Sequence, residues 1–321
     1  MTTRRRVLAA LLAMAALAAR AAETDYPSRT IRIVVAFPAG GAADTLARIL
    51  EQHFEVSLGV PVNVENRPGA SGNIASEAVA RTAADGYTLL LGATSMTILP
   101  ITRPAEVPDP LQQFEPITRL VSQPLVIVVP PSGAQTLGEL VARARAAPGR
   151  VAYASAGIGT TDHLAASLLW TRAGVEALHV PYANSGQEIA DLRQGNVQAA
   201  FISIGAVRSF LQASALRALA VTGAERVAAL PDVPTVAESG YPGFEVISWY
   251  GLFAPAGTPR AIVDQLQREA ATALRAAEVR ERLGALGAVA VANTPEAFAR
   301  EIRALRTFWP PLIKAAGVPV D

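Results

Sequence analysis

Alternating strand-like and helix-like segments are the feature of this sequence that most restricts its fold. Residues 87–92 form an almost uninterrupted apolar run, which is typical of a parallel strand buried on both faces. Residues 43–54 instead place Leu46, Ile49 and Leu50 at helical spacing. The alternation predicts an α/β fold in which helices flank mostly parallel sheets.

The same alternation continues along the chain and predicts two lobes, because 321 residues exceed the commonest domain size of about 100–150 residues. We expect residues 26–124 and 246–321 to form the first lobe and residues 125–245 the second. Strands are predicted at residues 30–37, 60–65, 87–92, 125–129, 151–155, 178–182, 197–202, 216–222 and 248–254. Helices are predicted near residues 43–54, 75–80, 136–146, 162–170, 186–194, 259–277 and 295–316.

Residues 1–21 have the pattern of a secretory signal peptide. Three arginines at positions 4–6 precede an uncharged run rich in Ala and Leu, which is too short to span a bilayer. Cleavage near Ala21 would remove four Arg and change the formal charge from +1 to −3. The mature protein is therefore expected in the periplasm, with the route of export left open. A buried N-terminal helix and an uncleaved anchor are the alternatives.

The composition excludes several kinds of chemistry. The chain contains no Cys, so thiol catalysis and thiolate metal sites are impossible. Its three His residues do not have metal-ligand spacing, and its balanced charge argues against nucleic-acid binding. The sequence also lacks the Gly-x-Ser-x-Gly elbow of serine hydrolases and the P-loop motif. We therefore expect neither an enzyme nor a bound cofactor or metal.

A glycine loop that joins the first predicted strand to the first helix is the first candidate ligand contact. Helix N-termini present unpaired N–H groups and a partial positive charge, so an anion can bind there without a basic side chain. A plain tight turn, with Asp44 only capping the helix, is the alternative. The candidate residues of this loop are Phe37, Pro38, Ala39, Gly40, Gly41 and Asp44.

A second glycine loop has the same position between a strand and a helix, in the second predicted lobe. A dinucleotide fingerprint would require glycine at position 162, where Asp162 stands. His163 is expected either to orient the loop or to serve a structural role. The candidates of this loop are Ser155, Ala156, Gly157, Gly159, Thr160, Thr161 and His163, and those of the surrounding cleft wall are Thr94, Tyr182 and Ser203.

The order of several short motifs resembles that of the Bug family of extracytoplasmic solute receptors, the substrate-binding components of tripartite tricarboxylate transporters. Both glycine loops match the family pattern, and the resemblance covers nearly all of the chain beyond the signal sequence. The matching segments are residues 26–35, 37–44, 65–74, 85–89, 153–164, 179–182 and 230–235.

The resemblance implies a two-lobe periplasmic binding protein of the type II-like class that closes over a small carboxylate. Loops equivalent to residues 37–44 and 155–161 grip the carboxylate in similar receptors. It further implies a monomer that delivers its ligand to integral membrane transporter subunits. A ligand-sensing partner of a membrane signalling kinase and an exported α/β enzyme are the alternatives.

The stretch that follows residues 197–201 of the predicted strand departs from the family pattern. Ile202, Ser203 and Ile204 stand where relatives often carry an acidic residue. This stretch predicts an apolar wall and a ligand whose distal end is less charged than an amino acid or citrate.

Overall fold

The computed structural model describes residues 26–37, 39, 41–182 and 185–320. The predicted signal peptide, its cleavage site and the candidate residues Pro38 and Gly40 lie outside the described residues. The described strands are β1 (Ile31–Val35), β2 (Val62–Asn66), β3 (Thr88–Ala93), β4 (Phe114–Val129), β5 (Ala152–Ser155), β6 (Leu178–Pro181), β7 (Ala199–Ser203), β8 (Arg217–Val221), β9 (Ile247–Pro255) and β10 (Val289–Ala290).

The helices alternate with these strands as the sequence predicts. A short 3₁₀ turn, Ala70–Gly72, precedes the second helix. The α-helices are α1 (Ala42–Leu58), α2 (Asn73–Ala80), α3 (Ser95–Thr102), α4 (Pro110–Gln113), α5 (Leu137–Ala146), α6 (Thr161–Ala173), α7 (Ser185–Gln194), α8 (Ile204–Gln212), α9 (Arg260–Arg275), α10 (Ala277–Ala285) and α11 (Pro295–Ala315). No helix within the described ranges is both long and apolar enough to span a bilayer.

The sheet combines two parallel regions with an antiparallel centre. β1 pairs in parallel with β2 and β3, and β5 pairs in parallel with β6 and β7. Between these regions, β9 pairs antiparallel with β3 and β4, and β4 pairs antiparallel with β7. The overall order is β2-β1-β3-β9-β4-β7-β5-β6. The predicted α/β class is confirmed, and the sheet is mixed because β4 and β9 run opposite to their neighbours.

β4 links the two parallel regions. It pairs with β9 up to Pro124 and with β7 and β8 from Leu125 onward. The sequence reveals only the second part of β4, because Pro116 and Pro124 interrupt the strand signal of the first part. The lobe boundaries at 124/125 and 245/246 stay a prediction.

Burial on both faces explains the uninterrupted apolar strands. Ile31 and Ile33 of β1 face one cluster of buried side chains, which also contains Leu46 and Phe54 of α1. Val34, which points to the other face, belongs to a separate cluster formed with α2 and α11. Each face of β1 is thus covered by helices, as a strand in a doubly wound sheet requires.

Thr222 hydrogen-bonds to both segments that connect the two parallel regions of the sheet, at Leu125 and at Val246. Its hydroxyl accepts a hydrogen bond from the Leu125 N–H at 2.9 Å and donates one to the Val246 carbonyl at 2.7 Å. Its backbone N–H donates to the Leu125 carbonyl, and its carbonyl accepts from the Val246 N–H. Thr222 is fully buried, so these bonds are shielded from water.

The isosteric change Thr222→Val should therefore lower the free energy of unfolding. The change leaves buried backbone groups of Leu125 and Val246 without their hydroxyl partner, which costs about 1–3 kcal/mol. Urea denaturation at neutral pH measures the effect. Thr272→Val on the exposed side of α9 is the matched control and should shift stability by no more than about 0.5 kcal/mol. Equal stability of the two variants would contradict a structural role for the Thr222 hydroxyl.

Candidate ligand-binding site

A cavity of about 640 Å³ lies at the carboxyl ends of the parallel strands. Residues that directly follow β1, β3 and β5 line it, together with the end of β7. This is where ligands bind in open α/β sheets, because the connections diverge there and leave a crevice. A smaller cavity of about 290 Å³ beside α11 contains no residue of either glycine loop.

Several helices begin at this cavity with a hydroxyl side chain. Ser95, Thr161 and Ser185 are the first residues of α3, α6 and α7, and Ser203 is the N-cap of α8. All four line the cavity, and none of their hydroxyls hydrogen-bonds to another residue in the described part of the chain. The wall therefore offers hydrogen-bond donors beside helix N-termini, which suits an anionic group.

The second glycine loop is held in place mainly by its own hydrogen bonds. Gly157 and Gly159 have φ angles of 129° and 75°, which side-chain-bearing residues rarely adopt. The Thr160 hydroxyl donates to the Gly157 carbonyl at 2.7 Å and accepts from the His163 N–H. Thr160 thus caps α6, and its hydroxyl is already engaged, whereas that of the neighbouring Thr161 is available to a ligand.

His163 lies behind the loop and orients it. Its Nδ1 accepts a hydrogen bond from the Gly159 N–H at 3.1 Å, and its ring stacks on His179 with centroids 3.9 Å apart. Burial, followed by the neighbouring His179, lowers the pKa of His163 to about 4. His179 in turn contacts the Ser155 hydroxyl at 2.7 Å. Both imidazoles are therefore neutral at pH 7 and fix the loop from behind.

The first glycine loop contributes Phe37 to the cavity. The Phe37 ring packs edge-to-face on Tyr250, with centroids 5.8 Å apart. Gly41 is the N-cap of α1 and has an ordinary φ of −82°, so no left-handed conformation requires glycine at this position. Asp44, in the first turn of α1, forms an ion pair with Arg48 at 3.6 Å. A carboxylate at this end of the helix stabilises α1 through the helix dipole.

Strand β9 forms a wall of the cavity beside Phe37 of the first glycine loop, and Thr94 holds it there. The Thr94 hydroxyl accepts a hydrogen bond from the Trp249 N–H at 2.8 Å. Ser248, Trp249 and Tyr250 all line the cavity. Burial, with a smaller contribution from the charge of Asp162, raises the pKa of Tyr250 to about 12. Tyr250 is therefore a neutral hydrogen-bonding group beside an apolar ring.

Two acidic residues also line the cavity. Burial raises the pKa of Asp162 to about 6, against backbone hydrogen bonds at Ala156 and at Asp162 itself that favour its ionised form. Burial and then the charge of Asp162 raise the pKa of Glu188 from 4.5 to about 8. Ile202 and Ser203 reach the cavity, and Glu188 of α7 adds an acidic side chain that the sequence does not predict there.

The structure places about half of the predicted site residues on the cavity itself. Among the remaining candidates, Ala39 and Gly41 precede α1, Ser155 and Gly157 shape the second loop, and the Tyr182 hydroxyl donates to Asp191 at 2.8 Å. The predicted residues that line the cavity are Phe37, Thr94, Ala156, Gly159, Thr160, Thr161 and Ser203.

Sequence reasoning missed the side chains that begin other helices and those on β9. One signal could have found Ser95 and Ser185, since each is a hydroxyl residue just after a strand, as in the second glycine loop. β9 gives no such signal, because its side of the cavity depends on the antiparallel pairing. The lining residues not predicted include Ser71, Ser95, Gln123, Asp162, Ser185, Glu188, Ser248, Trp249 and Tyr250.

Comparison with known proteins identifies the family. The family model described as "Tripartite tricarboxylate transporter family receptor" matches residues 46–318. The chain belongs to this receptor family. The sequence resemblance to Bug proteins is thereby confirmed, and the protein is a solute-binding receptor of the periplasmic binding protein class, not an enzyme.

Two relatives and two solved structures illustrate the similarity of this receptor to known proteins. A UPF0065 protein from the tcbD-tcbE intergenic region of Pseudomonas sp. strain P51 is 41% identical over 314 residues, covering 97% of this chain and 94% of the relative. Protein BugT of Bordetella pertussis is 38% identical over 297 residues, covering 90% of each chain.

The solved structures share the whole fold of the receptor. R. palustris Rpa4515 with adipate has 33% identity and a TM-score of 0.82, covering 92% of this chain and 99% of that one. MatC (Rpa3494) from Rhodopseudomonas palustris with bound malate has 30% identity and a TM-score of 0.76, covering 90% and 100%. The predicted two-lobe architecture is therefore confirmed.

The raised pKa of Glu188 predicts how stability depends on pH. Between pH 4.5 and about 8 the folded receptor retains a proton on Glu188 that the unfolded chain releases, so this group destabilises the fold as pH rises. Glu188→Gln removes the effect. Urea denaturation at pH 5, 6.5 and 8 should show the variant gaining stability relative to the native receptor at each step.

The exposed change Glu225→Gln is the matched control for this measurement. Its stability should follow that of the native receptor across the same pH range. Parallel profiles for Glu188→Gln and the native receptor would contradict the burial of an ionisable group at this position.

Proposed function

We propose that this receptor captures a small organic acid in the periplasm and delivers it to the integral membrane subunits of a tripartite tricarboxylate-type transporter. The observation that carries the proposal is the set of helix N-termini at one cavity, with the hydroxyls of Ser95, Thr161, Ser185 and Ser203 available to a ligand. These groups stabilise a carboxylate through local dipoles and hydrogen bonds, without a basic side chain in either glycine loop.

The relatives and the cavity size support a small carboxylate. The structurally similar Rpa4515 and MatC hold adipate and malate. A cavity of about 640 Å³ falls in the range of about 300–1,000 Å³ that is typical of small-molecule sites. The carboxylate is expected between the first turn of α6 and the start of α3.

Lobe closure would bury the ligand and create the surface that the transporter recognises. Residues 26–124 with 246–321 and residues 125–245 are the proposed moving units. Both β4 and the segment before β9 pass between them, and Thr222 joins these two segments. This arrangement supports hinge closure about a hydrogen-bonded axis. Export by the predicted signal peptide with cleavage near Ala21 belongs to the same proposal.

Thermal unfolding of the mature receptor with a ligand panel tests the proposed function. Mono-, di- and tricarboxylates, sugars and divalent cations are added separately. A carboxylate at about a hundred times its dissociation constant should stabilise the folded receptor by about 2.7 kcal/mol and raise its melting temperature. A rise with sugars or metal ions alone would overturn the carboxylate assignment. Loss of uptake of the same carboxylate in a deletion strain would test the transport role.

Thr161 is expected to contribute a direct hydrogen bond to the ligand carboxylate. Thr161→Val removes the hydroxyl at nearly constant volume and should weaken binding by about 1.5–3 kcal/mol, the value of a hydrogen bond to a charged group. Isothermal titration calorimetry with the best carboxylate of the panel measures the change. Thr171→Val, at the exposed end of the same helix, is the control and should bind normally. Equal affinity for the two variants would remove Thr161 from the site.

A further inference from the structure

Glu188 is a buried carboxyl whose hydrogen bonding is incomplete within the protein. The residue is 1% exposed and lines the cavity. Its Oε1 has no hydrogen-bond partner among the described residues. Buried acceptors are almost always paired, so an unpaired one that borders a binding cavity is matched to a donor on the ligand.

Asp162, on the neighbouring helix α6, adds a second acidic side chain to the same cavity. It lines the same cavity from the first turn of α6, and its charge acts on Glu188 and on Tyr250. Among the described lining residues, Arg103 is the one with a cationic side chain, and it is exposed at the end of α3. This part of the wall therefore has an excess of negative charge when its carboxyls ionise.

We infer that the ligand carries a primary amino group in addition to its carboxylate and that Glu188, assisted by Asp162, binds this ammonium group. The inference rests on the proposed function, since the carboxylate of the same ligand occupies the helix N-termini. An ammonium group supplies the donor that Oε1 lacks and opposes the charge of both acids. Glu188 thereby becomes the residue that selects amino acids over simple carboxylic acids.

The same wall disfavours the ligands found in the two similar structures. A second carboxylate, as in a dicarboxylate, would face Asp162, and also Glu188 once that carboxyl ionises, and like charges in a buried site repel strongly. A divalent cation is a poor occupant, because the described residues contain no group of three His, Asp or Glu side chains that could hold one. An ammonium group donates hydrogen bonds to these carboxyl groups, is not repelled by them and needs no cluster of three metal ligands.

Binding is also linked to proton release. Burial and Asp162 raise the pKa of Glu188 to about 8, so near neutral pH the carboxyl gives up a proton when it pairs with an ammonium group. Asp162 on α6 and Tyr182 before α7 interact electrostatically with Glu188, and Tyr250 on β9 and Arg103 on α3 line the same cavity. The two tyrosines stay neutral in this range. Affinity for the amino ligand is therefore expected to rise between pH 6 and 8.

Isothermal titration calorimetry with ligands that share a carbon skeleton tests the inference. The pairs are aspartate with succinate, 4-aminobutanoate with butanoate, and 6-aminohexanoate with hexanoate, and adipate is added as a dicarboxylate. In at least one pair the amino member should bind at least tenfold more tightly than its partner. Glu188→Gln should abolish this preference while keeping the affinity for the simple acid.

Control variants and buffers keep the result interpretable. Glu225→Gln should retain the preference, and Glu188→Asp should retain part of it because the carboxylate remains. Titration of the native receptor in two buffers of different ionisation enthalpy should reveal proton release with the amino ligand. This measurement needs no variant, so the inference remains testable even if Glu188→Gln does not fold.

The outcomes separate the two proposals. Tighter binding of the simple acids or of adipate, or an unchanged preference in folded Glu188→Gln, overturns the role of Glu188 and leaves the carboxylate receptor intact. Binding of amino ligands without proton release also overturns it. If none of these acids binds while sugars or divalent cations do, the proposed function fails and the inference fails with it.

Discussion

The direction in which each parallel strand connects to the next helix is the constraint on which the rest of this structure depends. A parallel strand ends at one sheet edge, and the helix that returns over the sheet must begin there. In this receptor β3, β5, β6 and β7 are each followed by a helix whose N-terminus lies at one cavity. Unpaired N–H groups and small hydroxyl side chains therefore accumulate in one place, although they come from distant parts of the sequence.

Some polar groups at this edge of the sheet fix the loop conformation, and others remain available to a ligand. Thr160, His163 and Ser155 hydrogen-bond within the second loop or to the layer behind it, so the backbone is set before a ligand arrives. Pre-organisation of this kind reduces the conformational entropy that is lost on binding. The adjacent Thr161 and the hydroxyls on other helices are left for the ligand. The proposed affinity for an acid would thus arise from local dipoles, even though the chain without its predicted signal peptide is mildly acidic.

The long strand β4 gives the site its second wall. Because β4 and β9 run antiparallel between the two parallel regions, Trp249 and Tyr250 come to line the same cavity as residues of the glycine loops. Thr222 fixes the position where the chain passes from one region to the other. The proposed closure about this position would change the distance between the walls of the cavity.

The sequence by itself determined the α/β class, the glycine loops and the approximate ends of most strands, because periodicity and turn residues are local properties. It also pointed to Thr161 and Thr160, although it could not tell which hydroxyl caps the helix and which is available. Only the tertiary structure decided that the first half of β4 is a strand despite its prolines, that β9 faces the cleft, and that Glu188 lies buried beside Asp162. These features depend on pairings between segments that lie far apart in the chain. The resulting burial raises the pKa of Glu188, although the sequence around this residue resembles an ordinary solvent-exposed helix.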